Sequence, residues 1–275
     1  MTEHVSGAAP AKRRSDLATR AVAGLVMIAI ALAALYAGGR AFWLLITAAA
    51  LLMMAEWAGL MHAPRRSVTL SIAAAAFVML LAGSASGHFS FLVTTAHTAW
   101  EVAGWCIVAA FVLAGLTVSP RLGAGLLYVT WPSFALLYLR EQPQGLGLAL
   151  WTLAVVWSTD IGAYFAGRSI GGPKLSPAIS PNKTWAGLIG GVVAALVLGY
   201  GIALVLALPR PLLVLGAPMA VLAQMGDLFE SWLKRRAKVK DSGRILPGHG
   251  GVFDRLDGLV PVAVAIALLL MLGWL

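Results

Sequence analysis

The chain has 275 residues, 60% of them hydrophobic and only 11% charged, with 20 Lys and Arg against 11 Asp and Glu for a net charge of +9. An ordinary globular domain is about 25% charged, so this composition, with a mean hydropathy of +0.87, excludes a soluble nucleic-acid-binding module and points to an all-α, polytopic membrane protein. The single cysteine, Cys106, excludes an intrachain disulfide or a Cys-based metal site.

A bilayer-spanning helix needs about 20 apolar residues, because its backbone polar groups must be satisfied within the segment. Nine stretches reach or approach that length: about Leu17 to Tyr36, Ala41 to Met61, Val68 to Ser86, Trp100 to Val118, Leu122 to Leu139, Gly145 to Phe165, Trp185 to Leu208, Leu212 to Trp232 and Leu259 to Leu275. The region from Phe89 to Val118 also has room for a re-entrant piece. Lys12, Arg13 and Arg14 precede the first run in the manner of a signal peptide, but the run is too long for that and leads into further spans, so it reads as a retained helix.

With nine crossings, 17 of the 20 Lys and Arg fall on one side, and only Arg40, Arg140 and Arg210 on the other. Cytoplasmic loops carry such an excess, which places the N-terminus in the cytoplasm and turns the basic face toward anionic head groups and metabolites. The expected organisation is a cytoplasmic tail over residues 1–16, N-terminal membrane helices over 17–140, and a C-terminal membrane region over 141–275 with cytoplasmic loops at 167–184 and 233–258.

Acids are the exception in such a chain. Glu56, Asp160, Asp227 and Glu230 fall within or at the edges of spans, where an ionised group costs at least ~2.5 kcal/mol at the centre, so each is expected to face protein, water or an ion. For Glu56, a lone acid two turns from Arg65, a packing or snorkelling role is as good a reading as a functional one. Asp160 sits among small and hydroxyl residues in WSTDIGAYFAGR and favours function.

The segment GDLFES puts Asp227, Glu230 and Ser231 at i, i+3 and i+4 on one helical face, which Lys234 continues. Beyond the next loop, DRLD sets Asp254 and Asp257 three apart at the start of the last span. Two carboxylate pairs at facing helix ends suit Mg²⁺ held jointly with substrate phosphates, and show no preference for Zn or Cu. The plainer alternative pairs Asp227 and Asp254 with neighbouring Lys and Arg.

Two loops carry a phosphate-binding character. Gly167 to Gly191 is too rich in Gly and Pro for helix through Pro181, and it supplies Arg168, Lys174 and Lys183 as cations with Ser180, Asn182 and Thr184 as short donors. Asn182 or Thr184 is placed to cap the helix that follows, turning its amides toward an anion. The second loop lies in SWLKRRAKVKDSGRILPGHGGVFDRLDG, Ser231 to Gly258, which holds ten of the chain's 31 charges. There LPGHGG surrounds His249 with three glycines and a proline, letting backbone approach a ligand closely. Between a Lys-rich arm and DRLD, His249 reads as a phosphate donor or a proton-transfer group.

The pattern S-x-L-K-R-x4-K-D-x-G-x2-L-P-x-H-G-G-V-x-D-R-L-D, from Ser231 to Asp257, resembles the signature of the phosphatidate cytidylyltransferases, the CDP-diacylglycerol synthases. The likeness extends upstream through GDLFES, SPNKTW and Asp160 to Arg168, roughly the C-terminal half; the N-terminal half matches only as apolar helices. Ala186 stands where that family leads one to expect Glu, and Gly258 where it leads one to expect Ser. The resemblance implies a homodimeric, multi-pass enzyme of a bacterial-type inner membrane. Its activity would join CTP and phosphatidate into CDP-diacylglycerol with release of diphosphate at the cytoplasmic face. It also implies Mg²⁺, with K⁺ as a second metal beside it.

Carried over position by position, Asp227 and Asp254 become the leading metal ligands, with Asp257 and Ser231 close by. Lys183, Lys234, Arg235 and His249 become groups around the phosphates. Lys240 and Asp241, fixed in the signature, join Asp227, Asp254, Asp257 and His249 as catalytic candidates, and Ser180, Asn182, Arg168, Arg255 and Asp160 join the substrate-binding set. The chemistry is compatible: a lipid phosphate is already a nucleophile, and what opposes reaction is its repulsion from the triphosphate.

Three other readings compete, of which a CDP-alcohol phosphotransferase lacks the D-G-x2-A-R spacing expected of it. A CTP-dependent kinase of polyprenol or another lipid alcohol would need a base and would release CDP. A lipid transporter would spread its charges through the membrane depth, with inverted repeats, whereas here they gather at one face.

Overall fold

The computed structural model describes residues 11–85, 99–243, 245 and 250–275. The reading given to His249, and the start of the region that has room for a re-entrant piece, fall outside them. The described chain is helical apart from one hairpin. It runs α1 (Ala11–Ala37), α2 (Gly39–Leu60), α3 (Arg65–Ala85), α4 (Ala99–Thr117), α5 (Pro120–Glu141), α6 (Gly145–Ser169), β1 (Lys174–Ser176), β2 (Ser180–Thr184), α7 (Trp185–Val205), α8 (Leu212–Arg236), α9 (Phe253–Leu256) and α10 (Leu259–Met271).

Seven of these helices, α2 to α8, are long and apolar enough to cross a membrane; the apolar stretches Val22–Ala37 and Leu259–Met271 are shorter. A helix occupies most of each of the nine anticipated stretches, and the chain is an all-α polytopic membrane protein. The last helix departs most from expectation. It has 13 residues, about 20 Å at 1.5 Å per residue, against a hydrocarbon core of about 30 Å.

The core forms around α5, which buries Leu122, Leu126, Val129, Leu137 and Leu139. Pro120 opens this helix at a position where no intrahelical N–H is needed. Helix α10 lies against α5 and α8, and Val262, Ala263 and Ile266 are fully buried. In place of water, backbone carbonyls satisfy the indoles: Trp43 Nε1 donates to Met79 O at 2.9 Å, Trp57 Nε1 to Arg121 O at 2.9 Å, and Trp151 Nε1 to Gly199 O at 2.8 Å.

Helices α6 and α7 approach backbone to backbone. A Cβ on Gly162 would stand 2.5 Å from the Ala194 methyl, and one on Gly190 would collide with Ala166; small residues replace the hydrophobic effect as the means of association inside a bilayer. The antiparallel hairpin β1–β2 closes the connection between these helices, with Lys174 opposite Thr184 and Ser176 opposite Ser180. The strands refine the expectation of a merely non-helical loop. The hairpin ends where Thr184 caps α7, its Oγ1 accepting from the Gly187 amide at 3.0 Å.

Candidate active site

Helix α8 supplies the central face. The i, i+3, i+4 spacing presents Asp227, Glu230, Ser231 and Lys234 toward the hairpin on one side and the α9–α10 joint on the other. Contact with the joint is close because residue 226 is glycine: a Cβ there would collide with the Asp257 carbonyl oxygen.

The first cluster forms where the hairpin meets α8. Lys183 Nζ lies 2.5 Å from Asp227 Oδ2 and 2.9 Å from Gln224 Oε1. Ser231 Oγ is turned toward Asp227 Oδ1 at a longer 3.4 Å. Asp257, between α9 and α10, has its carboxyl pushed up to about 7 by burial and next by the charge of Asp227; Asp160 adds to the rise, while the Gly258 amide and Lys183 oppose it. That amide donates to Asp257 Oδ1 at 2.8 Å. Carboxylates from α6, α8 and the α9–α10 joint therefore share one region, which Lys183 touches. Asp160 is exposed on α6.

The second cluster lies one turn further along α8. Lys234 Nζ bridges Glu230 Oε2 at 2.6 Å and Asp254 Oδ1 at 2.8 Å, and the two carboxylate side chains are 1% and 6% exposed. Asp254 also accepts from the Ser242 amide at 3.0 Å and the Gly251 amide at 2.7 Å on Oδ2. Burial alone would raise this carboxyl, but the hydrogen bonds with Glu230, Lys234 and the Gly251 amide hold it well below the usual carboxylate range. The other Glu230 oxygen, Oε1, is buried and has no hydrogen-bond partner among the described residues.

The remaining anticipated residues sit more openly. Arg168 is exposed and donates from Nη1 to the Tyr164 hydroxyl at 2.8 Å. Arg235 Nε reaches the Ile179 carbonyl in the hairpin turn at 3.4 Å. Asn182, Lys240, Asp241 and Arg255 are exposed, and Ser180 holds its place in the hairpin register. Sequence reasoning left Glu56 undecided, and here the structure is specific. Its buried carboxylate, carried by α2, accepts from the Val252 amide at 2.9 Å, the Phe253 amide at 2.8 Å and Ser242 Oγ at 3.1 Å.

Among the described residues, no three Asp, Glu, His or Cys side chains converge tightly enough to enclose a metal by themselves. The donors are hard oxygens, and one of them, Glu230 Oε1, is buried with no hydrogen-bond partner among the described residues. This donor set fits a cation such as Mg²⁺, which typically takes one or two protein carboxylates and completes its shell with water and substrate phosphates.

An array of carboxylates and lysines at the helix ends of a polytopic membrane protein suits an enzyme, and the comparisons with known proteins make the class specific. Residues 18–272 match the family model described as the cytidylyltransferase family. The chain belongs to that family and is a nucleotidyltransferase. It is 40% identical over 266 residues to the phosphatidate cytidylyltransferase of Brucella suis biovar 1, covering 92% of this chain and 93% of that one. It is also 51% identical over 131 residues to the Bacillus subtilis enzyme of the same name, 46% of this chain and 49% of that one. The Pseudomonas aeruginosa enzyme of that name is 41% identical over 165 residues, 56% and 59% of the two chains.

Proposed function

We propose that this protein is a phosphatidate cytidylyltransferase, converting CTP and phosphatidate into CDP-diacylglycerol and diphosphate for phospholipid synthesis. The observation that carries the reading is the junction of two distant motifs: Lys183 of SPNKTW lies 2.5 Å from Asp227 of GDLFES, so a cation and a carboxylate meet where a triphosphate would need both. The names of the relatives support the substrate assignment.

In this reading a phosphate oxygen of phosphatidate attacks the α-phosphorus of CTP. The bond from that phosphorus to the oxygen bridging to the β-phosphate breaks, and diphosphate leaves with the electron pair. No hydroxyl is deprotonated, so no strong base is needed. Lys183 exchanges Asp227 for a phosphate oxygen of bound CTP and offsets charge on the departing diphosphate. Lys234 holds Asp254 in place, while Arg235, Arg168, Arg255, Lys240, Ser180, Asn182 and, in the glycine-rich loop, His249 surround the phosphates. Asp227, Asp254, Asp257 and Ser231 are the residues that would hold Mg²⁺, with K⁺ as a second cation. When bound, Mg²⁺ supplies Lewis-acid screening of the repulsion between the two anionic reactants.

The bias of Lys and Arg supports a site at the cytoplasmic side of a bacterial-type inner membrane, where CTP arrives from water and the lipid from the bilayer; in this reading the enzyme acts as a homodimer. The test is to incubate purified protein with labelled CTP and phosphatidate, with and without Mg²⁺. Labelled CDP-diacylglycerol and stoichiometric diphosphate, formed only with Mg²⁺, are expected. CDP accumulating without diphosphate would overturn the reading in favour of a CTP-dependent lipid kinase.

A further inference from the structure

Glu56 is a buried acid to which the reaction described above gives no role. It is 5% exposed on α2, yet its partners among the described residues lie on the segment that leads into α9. Oε1 accepts from the Val252 amide, and Oε2 accepts from the Phe253 amide and the Ser242 hydroxyl. Two glycines of that segment face it, since a Cβ on Gly243 or on Gly251 would stand 2.5 Å from one of its oxygens.

The same segment is held from its other side by Asp254. Ser242 donates its hydroxyl to Glu56 and its amide to Asp254, and Gly251 donates its amide to Asp254 while packing on Glu56. Two carboxylates thus clamp one stretch of backbone, and only one of them belongs to the catalytic half of the chain. A carboxylate that accepts from two amides and a hydroxyl fixes the orientation of all three donors, because it has no proton of its own to offer in exchange.

We infer that Glu56 is a positioning residue of the active site: from the N-terminal helices it sets the backbone at Ser242 and at Gly251 to Phe253, and through that backbone the direction of Asp254. The inference rests on the function proposed above. Groups that orient the residues acting on a substrate or metal typically account for roughly 10- to 100-fold in activity.

The test uses the full chain in lipid nanodiscs and the variant Glu56→Gln. The carboxamide keeps the volume, but whichever way it turns its NH₂ faces a backbone N–H. For a variant whose thermal unfolding resembles that of the parent, kcat is expected to fall roughly 10- to 100-fold, with the KM for CTP little changed. Hydrogen exchange at the Val252 and Phe253 amides is expected to accelerate while α5 and α10 stay protected. Undiminished kcat, or a fallen kcat with unchanged exchange at those amides, overturns the inference. Should Glu56→Gln not fold, Ser242→Ala decides: kcat is expected to fall roughly 2- to 10-fold with faster exchange at the same amides, and parental values for both refute the clamp. A parent protein that makes no CDP-diacylglycerol refutes the proposed function, while the exchange comparison still judges Glu56 by itself.

Discussion

Replacing Lys234 with Met removes one nitrogen from between two buried carboxylates and keeps the length of the side chain. The oxygens of Glu230 and Asp254 lie 2.6 and 2.8 Å from that nitrogen, so they are at most about 5.4 Å apart. Without the ammonium, the Asp254 carboxylate is left as a buried charge whose contacting cation is gone. Deleting one partner of a buried pair in this way typically costs ~3–5 kcal/mol. For a chain of this size such a loss shifts thermal unfolding down by roughly 6–12 °C, read from tryptophan fluorescence in detergent. Adding Glu230→Gln keeps a hydrogen-bond donor beside Asp254, so the double variant is expected to be at least as stable as the single one. An unchanged unfolding temperature in Lys234→Met, or a double variant less stable than the single one, would refute the reasoning.

Lys183→Met takes away the cation that touches Asp227, and kcat for CDP-diacylglycerol formation is expected to fall roughly 10²- to 10³-fold with little change in unfolding temperature; a loss under about tenfold would separate Lys183 from the departing diphosphate. Because Asp257 is held near 7, below that pH a proton occupies a carboxylate assigned to Mg²⁺. The Mg²⁺ concentration for half-maximal rate is therefore expected to rise about tenfold per unit as pH falls below about 7, and to level off above it. A requirement independent of pH between about 6 and 8 would exclude Asp257 from the ion's shell. The same raised value means that the native state keeps a proton which the unfolded chain gives up at lower pH. This group's contribution to stability is thus fully present below about 4 and is lost as pH rises through about 7.

Much of the framework was legible because membrane helices announce themselves through length and apolarity. The i, i+3, i+4 spacing of Asp227, Glu230 and Ser231 is realised on α8, and of the two residues offered as a cap for α7, Thr184 does so. Other features were hidden for identifiable reasons. Three-residue β1 carries no periodic signal, and the hairpin depends on the tight approach of α6 and α7 at Gly162 and Gly190. α10 stops at Met271 although apolar residues continue beyond it. Glu56 escaped because its partners are 186 to 197 residues away, and no local pattern encodes that separation. The bonding of Asp254 was equally illegible: spacing placed it near the site but left open whether it faced an ion or Lys234.

The distance between Glu56 and Val252 bears on how the protein is made. Ribosomes add about 5–20 residues per second, so roughly 10–40 s separate the synthesis of the carboxylate from that of the amides that receive it. Throughout that interval α2 carries an acid near its end with no native partner, and the segment from Ser242 to Phe253 has nothing to fold against until it too has emerged. Catalytic competence is thus among the last properties the nascent chain acquires, and it arrives only when a residue inserted early meets the one that came late.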